Sequence, residues 1–259
     1  MTKKPIILIT NDDGINAEGI KHLRRAMDKL GTTYVFAPMS EKSGASHSFS
    51  LRKPLEVLWR DKRTTAVDGT PTDCVMLAVR GLLKFKPDLV VSGINHGPNL
   101  GDDVTYTGTV AGAMEGTLLG IPSIAVSCVS WKKCDFRSSA VYARRVAEVV
   151  LKKGLPQNTL LNVNVPGGTP GGVDVTTLGK RIYRDELTLV QEQDGRRRYQ
   201  IYGDEPGFHD EPGTDLAAVA AGRIAVTPIH FDLTAHAEME ALRGYDLARL
   251  LAPAARERE

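Results

Sequence analysis

Short apolar runs alternate with helical patterns over the first 165 residues, and this alternation limits the possible folds more than any other feature. A run that is apolar without alternation is typical of a strand buried on both faces of a parallel sheet. Such runs predict strands at residues 6–9, 34–37, 88–92, 123–127 and 160–165. Helical stretches between them are what right-handed βαβ units require. We therefore expect an α/β fold with a doubly wound, mostly parallel, Rossmann-like sheet.

Apolar spacing and residues typical of helix ends mark the helices between these strands. Ile20, Leu23, Met27 and Leu30 fall on one helical stripe, and Gly31 is placed to end that helix. Similar signals predict a helix that begins after residue 70, a helix of small residues at 109–119, and a helix that includes 142–149.

The sequence changes character after residue 166, where turns rich in glycine and proline join short alternating segments. Segments 181–189 and 198–202 flank Asp194-Gly195, which predicts a long polar β-hairpin. Because two strands alone are marginally stable in water, we expect the hairpin to pack on a neighbouring subunit. We expect one structural domain, with a core at 1–170 that carries the active site and a β-rich extension at 171–222. Residues 223–259 are expected to form a returning strand and a C-terminal helix, and the helix is predicted at 237–251.

Composition excludes several classes of protein. Lysine and arginine number 33 against 31 aspartates and glutamates, which is too balanced for a nucleic-acid coat or a polybasic membrane binder. No stretch approaches the ~20 apolar residues of a membrane-spanning helix. The three cysteines form no C-x-x-C pair, so neither a disulfide framework nor a zinc knuckle is indicated. We expect a cytoplasmic protein whose partner is a small molecule, not a nucleic-acid polymer or a membrane.

Two adjacent carboxylates follow the first predicted strand. Ligands of open α/β sheets bind beyond the carboxyl ends of the strands, so Asp12 and Asp13 lie where a site is expected. Gly14 permits a tight turn that lets both side chains converge, and converging carboxylates repel unless a proton or cation lies between them. An isolated Asp-Asp-Gly is ordinarily only a turn. Its position at the end of the first buried strand favours a functional role.

A glycine-rich loop follows the third predicted strand and leads into a helix. Residues 92–101 read Ser-Gly-Ile-Asn-His-Gly-Pro-Asn-Leu-Gly. Free amides and the positive end of a helix dipole bind phosphate, and Asn99, Thr107 and Thr109 can add donors. The glycines could instead serve only turns and close packing of the helix on the sheet. The number of small donors at one strand end favours phosphate binding.

The polar groups near these strand ends are carboxylates, hydroxyls and amide oxygens, with no thiolate beside them. Hard oxygen ligands of this kind select Mg²⁺, Mn²⁺ or Ca²⁺ over zinc or copper. A divalent ion would neutralise Asp12 and Asp13, whereas neutral serine and asparagine oxygens would not repel an incoming phosphate dianion. Such a cation would polarise a phosphoryl oxygen and activate a water molecule. The residues therefore predict metal-assisted hydrolysis of a phosphate ester.

Several blocks of residues around these loops form a recognisable pattern. In chain order they are TNDDG at 10–14, APxxxxSG at 37–44, DGTPTDCV at 68–75, SGINHGPN at 92–99, TGTVAGAMEG at 107–116 and GIPSIAVS at 120–127. Each block alone is a weak signal, whereas all of them in order are highly specific. Together they resemble the SurE (survival protein E) nucleotidase family, and TPIHFDLT at 227–234 is similar to its C-terminal segment. The resemblance therefore spans most of the chain.

The resemblance implies a phosphatase that uses one divalent cation per subunit, Mg²⁺ or Mn²⁺. It implies hydrolysis of nucleoside 5′-monophosphates to nucleoside and phosphate through a metal-activated water, with side activity on 3′-nucleotides and short polyphosphate. It also implies a Rossmann-like core and a homodimer or homotetramer formed through the hairpin at 180–202 and the C-terminal segment.

The site residues of the family map onto this chain by position. The implied metal ligands are Asp12, Asp13, Ser43 and Asn95, and the implied phosphate-binding residues are Gly44, Asn99, Thr107, Gly108 and Thr109. The residues expected to take part in catalysis are Asp12, Asp13 and Asn99. One departure is Thr107, where the family usually has serine. Because threonine keeps the hydroxyl and adds a methyl group, we expect altered fit with retained function.

Three other interpretations stay open at this point. An aspartate nucleophile is the rival within hydrolysis, although the D-x-D arrangement of haloacid-dehalogenase-type phosphatases is absent, which favours water. A non-catalytic nucleotide-binding sensor would use the same glycine-rich loop and release no phosphate. An oligomeric scaffold would depend on the hairpin alone. Neither G-x-G-x-x-G nor G-x-x-x-x-G-K-[ST] occurs, which argues against a dinucleotide oxidoreductase or a P-loop ATPase.

Overall fold

A computed structural model describes residues 4–130, 133–182, 187–200, 207–245 and 247 of the chain. The strands of the core are β1 (Ile6–Thr10), β2 (Thr32–Pro38), β3 (Val57–Asp61), β4 (Thr64–Val67), β5 (Leu89–His96), β6 (Ser123–Val129) and β7 (Thr159–Pro166). Those that follow are β8 (Val173–Val175), β9 (Arg181–Ile182), β10 (Thr188–Gln193), β11 (Arg196–Gln200), β12 (Gly207–Phe208) and β13 (Ile224–His230). The helices are α1 (Glu18–Met27), α2 (Pro71–Leu77), α3 (Gly108–Leu118), α4 (Phe136–Lys153), α5 (Asp215–Ala220) and α6 (Met239–Arg243).

A nine-stranded sheet in the described part of the chain has the order β3-β4-β2-β1-β5-β6-β7-β13-β8. The pairings from β4 through β7 are all parallel, whereas β3 pairs antiparallel with β4 and β13 pairs antiparallel with β7. The chain moves outward from β1 in both directions, as a doubly wound sheet does. The predicted fold class, α/β with a mostly parallel Rossmann-like sheet, is confirmed.

Helices cover both faces of the sheet because its strands are apolar on both sides. Ile7 and Ile9 of β1 pack with Leu23 of α1 in one core cluster. Leu8, which points to the other face because strand side chains alternate, packs with Val75 of α2 in a second cluster. Burial on both sides explains why the strands read as continuous apolar runs in the sequence.

The small residues of α3 allow this helix to lie close to the sheet. A Cβ atom on Gly116 would lie 2.5 Å from Ser123 Oγ, and one on Gly112 would lie 2.8 Å from Thr10 Cγ2. Such distances leave no room for a side chain at either position. Close packing is therefore one reason for the glycines, and it brings the start of α3 against the end of β1.

The extension after residue 166 differs in detail from the prediction. The turn at Asp194-Gly195 is confirmed, with both residues at positive φ (52° and 72°), and it joins β10 to β11. The segment predicted at 181–189 is not one strand, because β9 pairs instead with β12. Residues 183–186 and 201–202, also part of the hairpin prediction, lie outside the described residues.

Two further corrections concern the edge and the end of the chain. Strands β3 and β4 were not predicted, because neither is a continuous apolar run: β3 is mostly exposed, and β4 is mostly buried but begins with two threonines. The helix predicted at 237–251 begins at Met239 after a 3₁₀ turn, and its described part ends at Arg243 before Gly244. Most of the remaining predicted length lies outside the described residues. Of the helices that the structure describes, none is long and apolar enough to cross a membrane.

Candidate active site

Three segments meet at the carboxyl edge of the sheet, where the sequence predicts the site. They are the turn after β1, the end of β5 with the loop that follows it, and the first turn of α3. Because β1 and β5 are parallel neighbours, with Thr10 opposite Ser92, the acidic pair and the glycine-rich loop leave the sheet side by side. The topology thus brings residues from these distant parts of the chain together.

Asp12 is buried against the start of α3. The hydroxyl of Thr109 donates a hydrogen bond to Asp12 Oδ1, and a Cβ atom on Gly108 would lie 2.8 Å from Asp12 Cβ. Burial raises the pKa of Asp12 above its ordinary value, and hydrogen bonds from Thr109 and from the α3 amides offset part of that rise. The carboxylate is therefore held in one place by a helix start, which favours negative charge.

Asp13 lies beside Asp12 and is less deeply buried. The backbone amide of His96 donates to Asp13 Oδ2 at 3.3 Å, which ties the carboxylate to the end of β5. Burial, then the neighbouring charge of Asp12, raises the pKa of Asp13 to about 6. The two carboxylates are thus close enough to repel each other, as the sequence predicts. None of the ion pairs within the described residues involves either of them.

The loop that carries Ser43 and Gly44 approaches the acidic pair through its backbone. The amide of Lys42 donates to the carbonyl oxygen of Asp12 at 2.7 Å. The side chain of Ser43 is exposed and donates to Glu41 Oε1 at 2.8 Å. Gly44 adopts a φ of 72°, and a Cβ atom there would meet nothing within 4 Å. The roles of Ser43 as metal ligand and of Gly44 as phosphate donor stay predictions.

Three contacts fix the far end of the same loop to α3 and to the residues just before it. The backbone amide of Ser46 donates to the carbonyl oxygen of Tyr106 at 2.9 Å. Its hydroxyl donates to the carbonyl oxygen of Thr105 at 2.7 Å. His47 Nε2 lies 3.2 Å from Oε2 of the buried Glu115. Glu115 was not predicted, because only the fold shows that its side of α3 faces this loop.

Asn95 and His96 end β5 next to the acidic pair. The side-chain nitrogen of Asn95, Nδ2, donates to the carbonyl oxygen of Gly97 at 3.0 Å. The side-chain oxygen Oδ1 is therefore the atom of Asn95 that suits a cation. The side chain of His96 is exposed and its ring meets Phe136 edge-on, with 6.0 Å between the ring centroids. The role of Asn95 as a metal ligand stays a prediction.

Asn99 is fixed by polar side chains that the sequence analysis missed. Asn164 Oδ1 accepts from the amide of Asn99 at 2.9 Å, and Asn164 Nδ2 donates to its carbonyl oxygen at 2.9 Å. Asn162 Nδ2 donates to the same carbonyl at 2.8 Å, and Asn99 Nδ2 donates to Ser127 Oγ at 2.8 Å. A signal was present, because two asparagines spaced by two in a buried strand share one face.

The start of α3 is capped from within. Thr107 Oγ1 accepts from the amide of Thr109 at 3.1 Å, so that the hydroxyl keeps its own proton for another acceptor. The hydroxyl of Thr109 donates its proton to Asp12 Oδ1. Gly108 leaves room for Asp12, because a Cβ atom on Gly108 would lie 2.8 Å from Asp12 Cβ. The extra methyl group of Thr107 is accommodated, since the side chain is buried without losing its capping bond.

We expect Asn164→Ala to lower kcat/KM about 10- to 100-fold. Removing a residue that orients the groups of a site, without touching the ligand itself, typically lowers activity by this factor. The variant loses two of the three side-chain hydrogen bonds that hold the backbone of Asn99 and keeps the one from Asn162. Steady-state kinetics and a thermal melt measure the two effects separately. Thr176→Val is the matched control, since it removes a buried hydrogen bond of 2.7 Å to Thr227 away from the site. An equal loss of kcat/KM in both variants would contradict the positioning role.

The donor set fits a hard divalent cation. A buried carboxylate, Asp12, and a partly buried one, Asp13, lie side by side with raised pKa values, and Asn95 adds a neutral amide oxygen nearby. A cation between the carboxylates would remove their repulsion and restore their charged forms. The described residues contain no group of three or more histidine, cysteine, aspartate or glutamate side chains that could hold a metal ion. The set predicted from the sequence needs only two carboxylates, completed by neutral oxygens.

The fold and the site together define a class. A doubly wound α/β sheet with a helix start and an acidic pair at its carboxyl edge is an arrangement suited to a phosphate-bearing ligand. The chain is therefore a Rossmann-like α/β protein with a polar, acidic site at the strand ends.

Comparison with known proteins identifies the family. A family model described as "Survival protein SurE" matches residues 7–185. A relative from Geobacter sulfurreducens, named 5′-nucleotidase SurE, is 48% identical over 93% of this chain and 94% of its own. A relative of the same name from Moorella thermoacetica is 46% identical over 93% of this chain and 95% of its own. The crystal structure of the SurE protein from Aquifex aeolicus has a TM-score of 0.84 and 44% identity, covering 93% of this chain and 99% of that one. The chain belongs to the SurE family.

Proposed function

We propose that this chain is a metal-dependent 5′-nucleotidase that hydrolyses nucleoside 5′-monophosphates to nucleoside and phosphate. Its relatives, which match it over almost their whole length, carry the name 5′-nucleotidase. The observation that carries the proposal is the acidic pair, in which Asp12 is buried against the start of α3 and Asp13 is held at the end of β5. No ion pair within the described residues gives either carboxylate a cationic partner. An acidic pair beside a helix start suits a cation and a phosphate at once.

Asp12 and Asp13 would hold a divalent cation, Mg²⁺ or Mn²⁺, with Asn95 and Ser43 completing the protein ligands. When bound, such an ion polarises a phosphoryl oxygen and lowers the pKa of a water molecule. Thr109 keeps the carboxylate of Asp12 in place, and the amide of His96 does the same for Asp13. Ser43 would have to turn away from Glu41 to reach the ion.

The phosphate would lie against the start of α3. Asn99 Nδ2 carries two protons and gives one to Ser127, so the second is free for a phosphate oxygen. The hydroxyl of Thr107 retains its proton, and Gly108 exposes backbone where a side chain would block the approach to Asp12. Gly44 would add an amide from the opposite loop. These groups would orient the ester for attack by water in line with the leaving oxygen, which is the main source of catalysis in phosphoryl transfer.

A phosphate-release assay on a nucleotide panel tests this proposal. The protein is stripped with EDTA and assayed with 5′-monophosphates, 3′-monophosphates and short polyphosphate, before and after Mn²⁺ or Mg²⁺ is added. We expect release from 5′-monophosphates only with the metal, and slower release from the other two substrates. Nucleotide binding without phosphate release under any metal condition would instead establish the non-catalytic sensor. A phosphorylated aspartate trapped during one turnover would exclude direct attack by water.

The exposed hairpin supports an oligomeric form. All residues of β10 and β11 are exposed, and Leu189 lies directly opposite Tyr199 on one face of the pair. A lone two-stranded pair is marginally stable in water, so we propose that it packs on another subunit to give a dimer or tetramer. The three free thiols are compatible with the reducing conditions of the cytoplasm, where we place the protein.

We expect Leu189→Asp combined with Tyr199→Asp to shift the protein toward monomer, because two charges would be buried at the subunit contact. Light scattering after size-exclusion chromatography measures the mass directly. The matched control is Val149→Asp on α4, a residue that is 54% exposed and lies outside the hairpin. A monomeric wild type, or an oligomer unaffected by the paired substitutions, would rule out this interface.

A further inference from the structure

Two cysteines meet behind the loop that ends β5. Cys128 lies at the end of β6 and is 1% exposed, whereas Cys134 precedes α4 and is partly exposed. Cys134 Sγ lies 3.2 Å from the carbonyl oxygen of Cys128 and 3.5 Å from that of Ser130. The thiol of Cys134 therefore lies against the backbone of Cys128, which makes the two cysteines neighbours in space. They therefore form a dithiol, which the nucleotidase chemistry proposed above does not use.

The surroundings of Cys128 favour its thiolate. The neighbouring thiol of Cys134, and then the Ser139 side chain and the Asp135 amide, lower the pKa of Cys128 to about 7. Both latter groups belong to the start of α4, and a helix N-terminus is a setting that activates cysteines. Cys134 keeps its proton, because the neighbouring Cys128 raises its pKa. Cys74 contrasts with Cys128, since burial raises the pKa of Cys74 well above its ordinary value.

The dithiol is connected to the active site through Gly97. The amide of Gly97 donates to the carbonyl oxygen of Cys128 at 3.0 Å, and Cys128 lies opposite His96 in the sheet. The charge of Asp13 also acts on Cys134. A disulfide between the two sulfur atoms would therefore displace the segment that carries Asn95 and His96.

We propose that Cys128 and Cys134 are a site of reversible oxidation, in which a peroxide converts the pair to a disulfide and thereby slows nucleotide turnover. In the first step the Cys128 sulfur attacks one oxygen of hydrogen peroxide and the O–O bond breaks. The second oxygen takes the proton that the Cys128 thiol has given up and leaves as water. Cys134 sulfur then attacks the resulting sulfenic acid, an S–S bond forms, and the S–O bond breaks. The leaving oxygen takes the Cys134 proton and departs as a second water. Two thiols and one peroxide thus give one disulfide and two waters.

Peptide mapping of the full-length protein tests this inference independently of activity. The EDTA-treated protein is exposed to hydrogen peroxide, the remaining thiols are blocked with N-ethylmaleimide, and the protein is digested with trypsin. Cleavage after Lys132 and Lys133 separates the two cysteines, so a disulfide must link peptide 85–132 to peptide 134–137. We expect this linked species, the loss of two of the three thiols, and their recovery with dithiothreitol. No linked species, or one that contains Cys74, would overturn the proposal.

Turnover is measured on the same samples after the peroxide is removed and Mn²⁺ is added. We expect oxidation to lower the rate at least about tenfold, because small displacements of reacting groups are costly. Cys134→Ser should retain the basal rate and resist the peroxide, whereas the control Cys74→Ala should still form the disulfide and lose activity. A disulfide with unchanged turnover, or equal peroxide sensitivity in Cys134→Ser, would refute the connection to the active site.

Discussion

Replacing Asp13 with asparagine will lower nucleotide turnover at least about a thousandfold, equivalent to roughly 4 kcal/mol of activation free energy. The substitution removes one of the two charges proposed to hold the cation and keeps the shape of the side chain. Steady-state phosphate release with saturating Mn²⁺ measures the effect. Asp194→Asn is the matched control, because it makes the same chemical change at the exposed hairpin turn. A loss of less than about tenfold in Asp13→Asn would exclude Asp13 as a metal ligand.

The same substitution will stabilise the metal-free protein at neutral pH. Folding raises the pKa of Asp13 from 3.8 to about 6, so the folded state binds its proton more tightly than the unfolded chain does. That stabilising contribution is fully present below pH 4 and is lost as the pH rises through 6. Asp13→Asn removes this dependence, and its advantage over the wild type should grow across the same range to at most about 3 kcal/mol. Denaturant unfolding of both proteins in EDTA at pH 4, 5, 6 and 7 tests the sign of this difference in the free energy of unfolding.

Gly108→Ala will lower turnover about a hundredfold or more, because a displacement of about 1 Å among reacting groups has that effect. The new Cβ atom would lie 2.8 Å from Asp12 Cβ and 3.0 Å from Asp12 Oδ2, so the carboxylate would have to move. Thr109 holds Asp12 from the next residue of the same helix, which leaves little freedom for that movement. The expected loss is in both kcat and metal affinity.

Gly81→Ala is the matched control for Gly108→Ala. A Cβ atom on Gly81 would meet nothing within 4 Å, and the residue lies in a π-helical turn after α2, away from the strand ends. It should retain the turnover of the wild type. Phosphate release and Mn²⁺ dependence, measured for both variants, distinguish a local displacement of Asp12 from a general effect of alanine. Near-normal turnover in Gly108→Ala would show that the carboxylate position is not critical.

The sequence predicted those features that depend on local patterns. Continuous apolar runs gave the central strands, because strands buried on both faces need them. The acidic pair and the glycine-rich loop were placed at one edge because parallel strands end together. The hairpin turn was predicted from Asp194-Gly195, which requires positive φ at both residues.

Features that depend on contacts between distant residues were not predicted. The bond from Thr109 to Asp12 joins residues 97 apart in the chain, and the bond from Asn99 to Asn164 joins residues 65 apart. Local patterns carry no information about which polar side chains meet across such distances. The same reason applies to the pairing of β9 with β12, which divides the segment that was predicted as one strand.

Titration of the EDTA-treated protein with Mn²⁺, followed by electron paramagnetic resonance, tests the central claim most directly. The claim is that Asp12 and Asp13 together hold one divalent cation beside the start of α3. We predict one tightly bound Mn²⁺ per chain in the wild type and in Asp194→Asn, and loss of that binding in Asp13→Asn. Equally tight binding by Asp13→Asn, or no binding by a wild type that still hydrolyses nucleotides, would contradict the account.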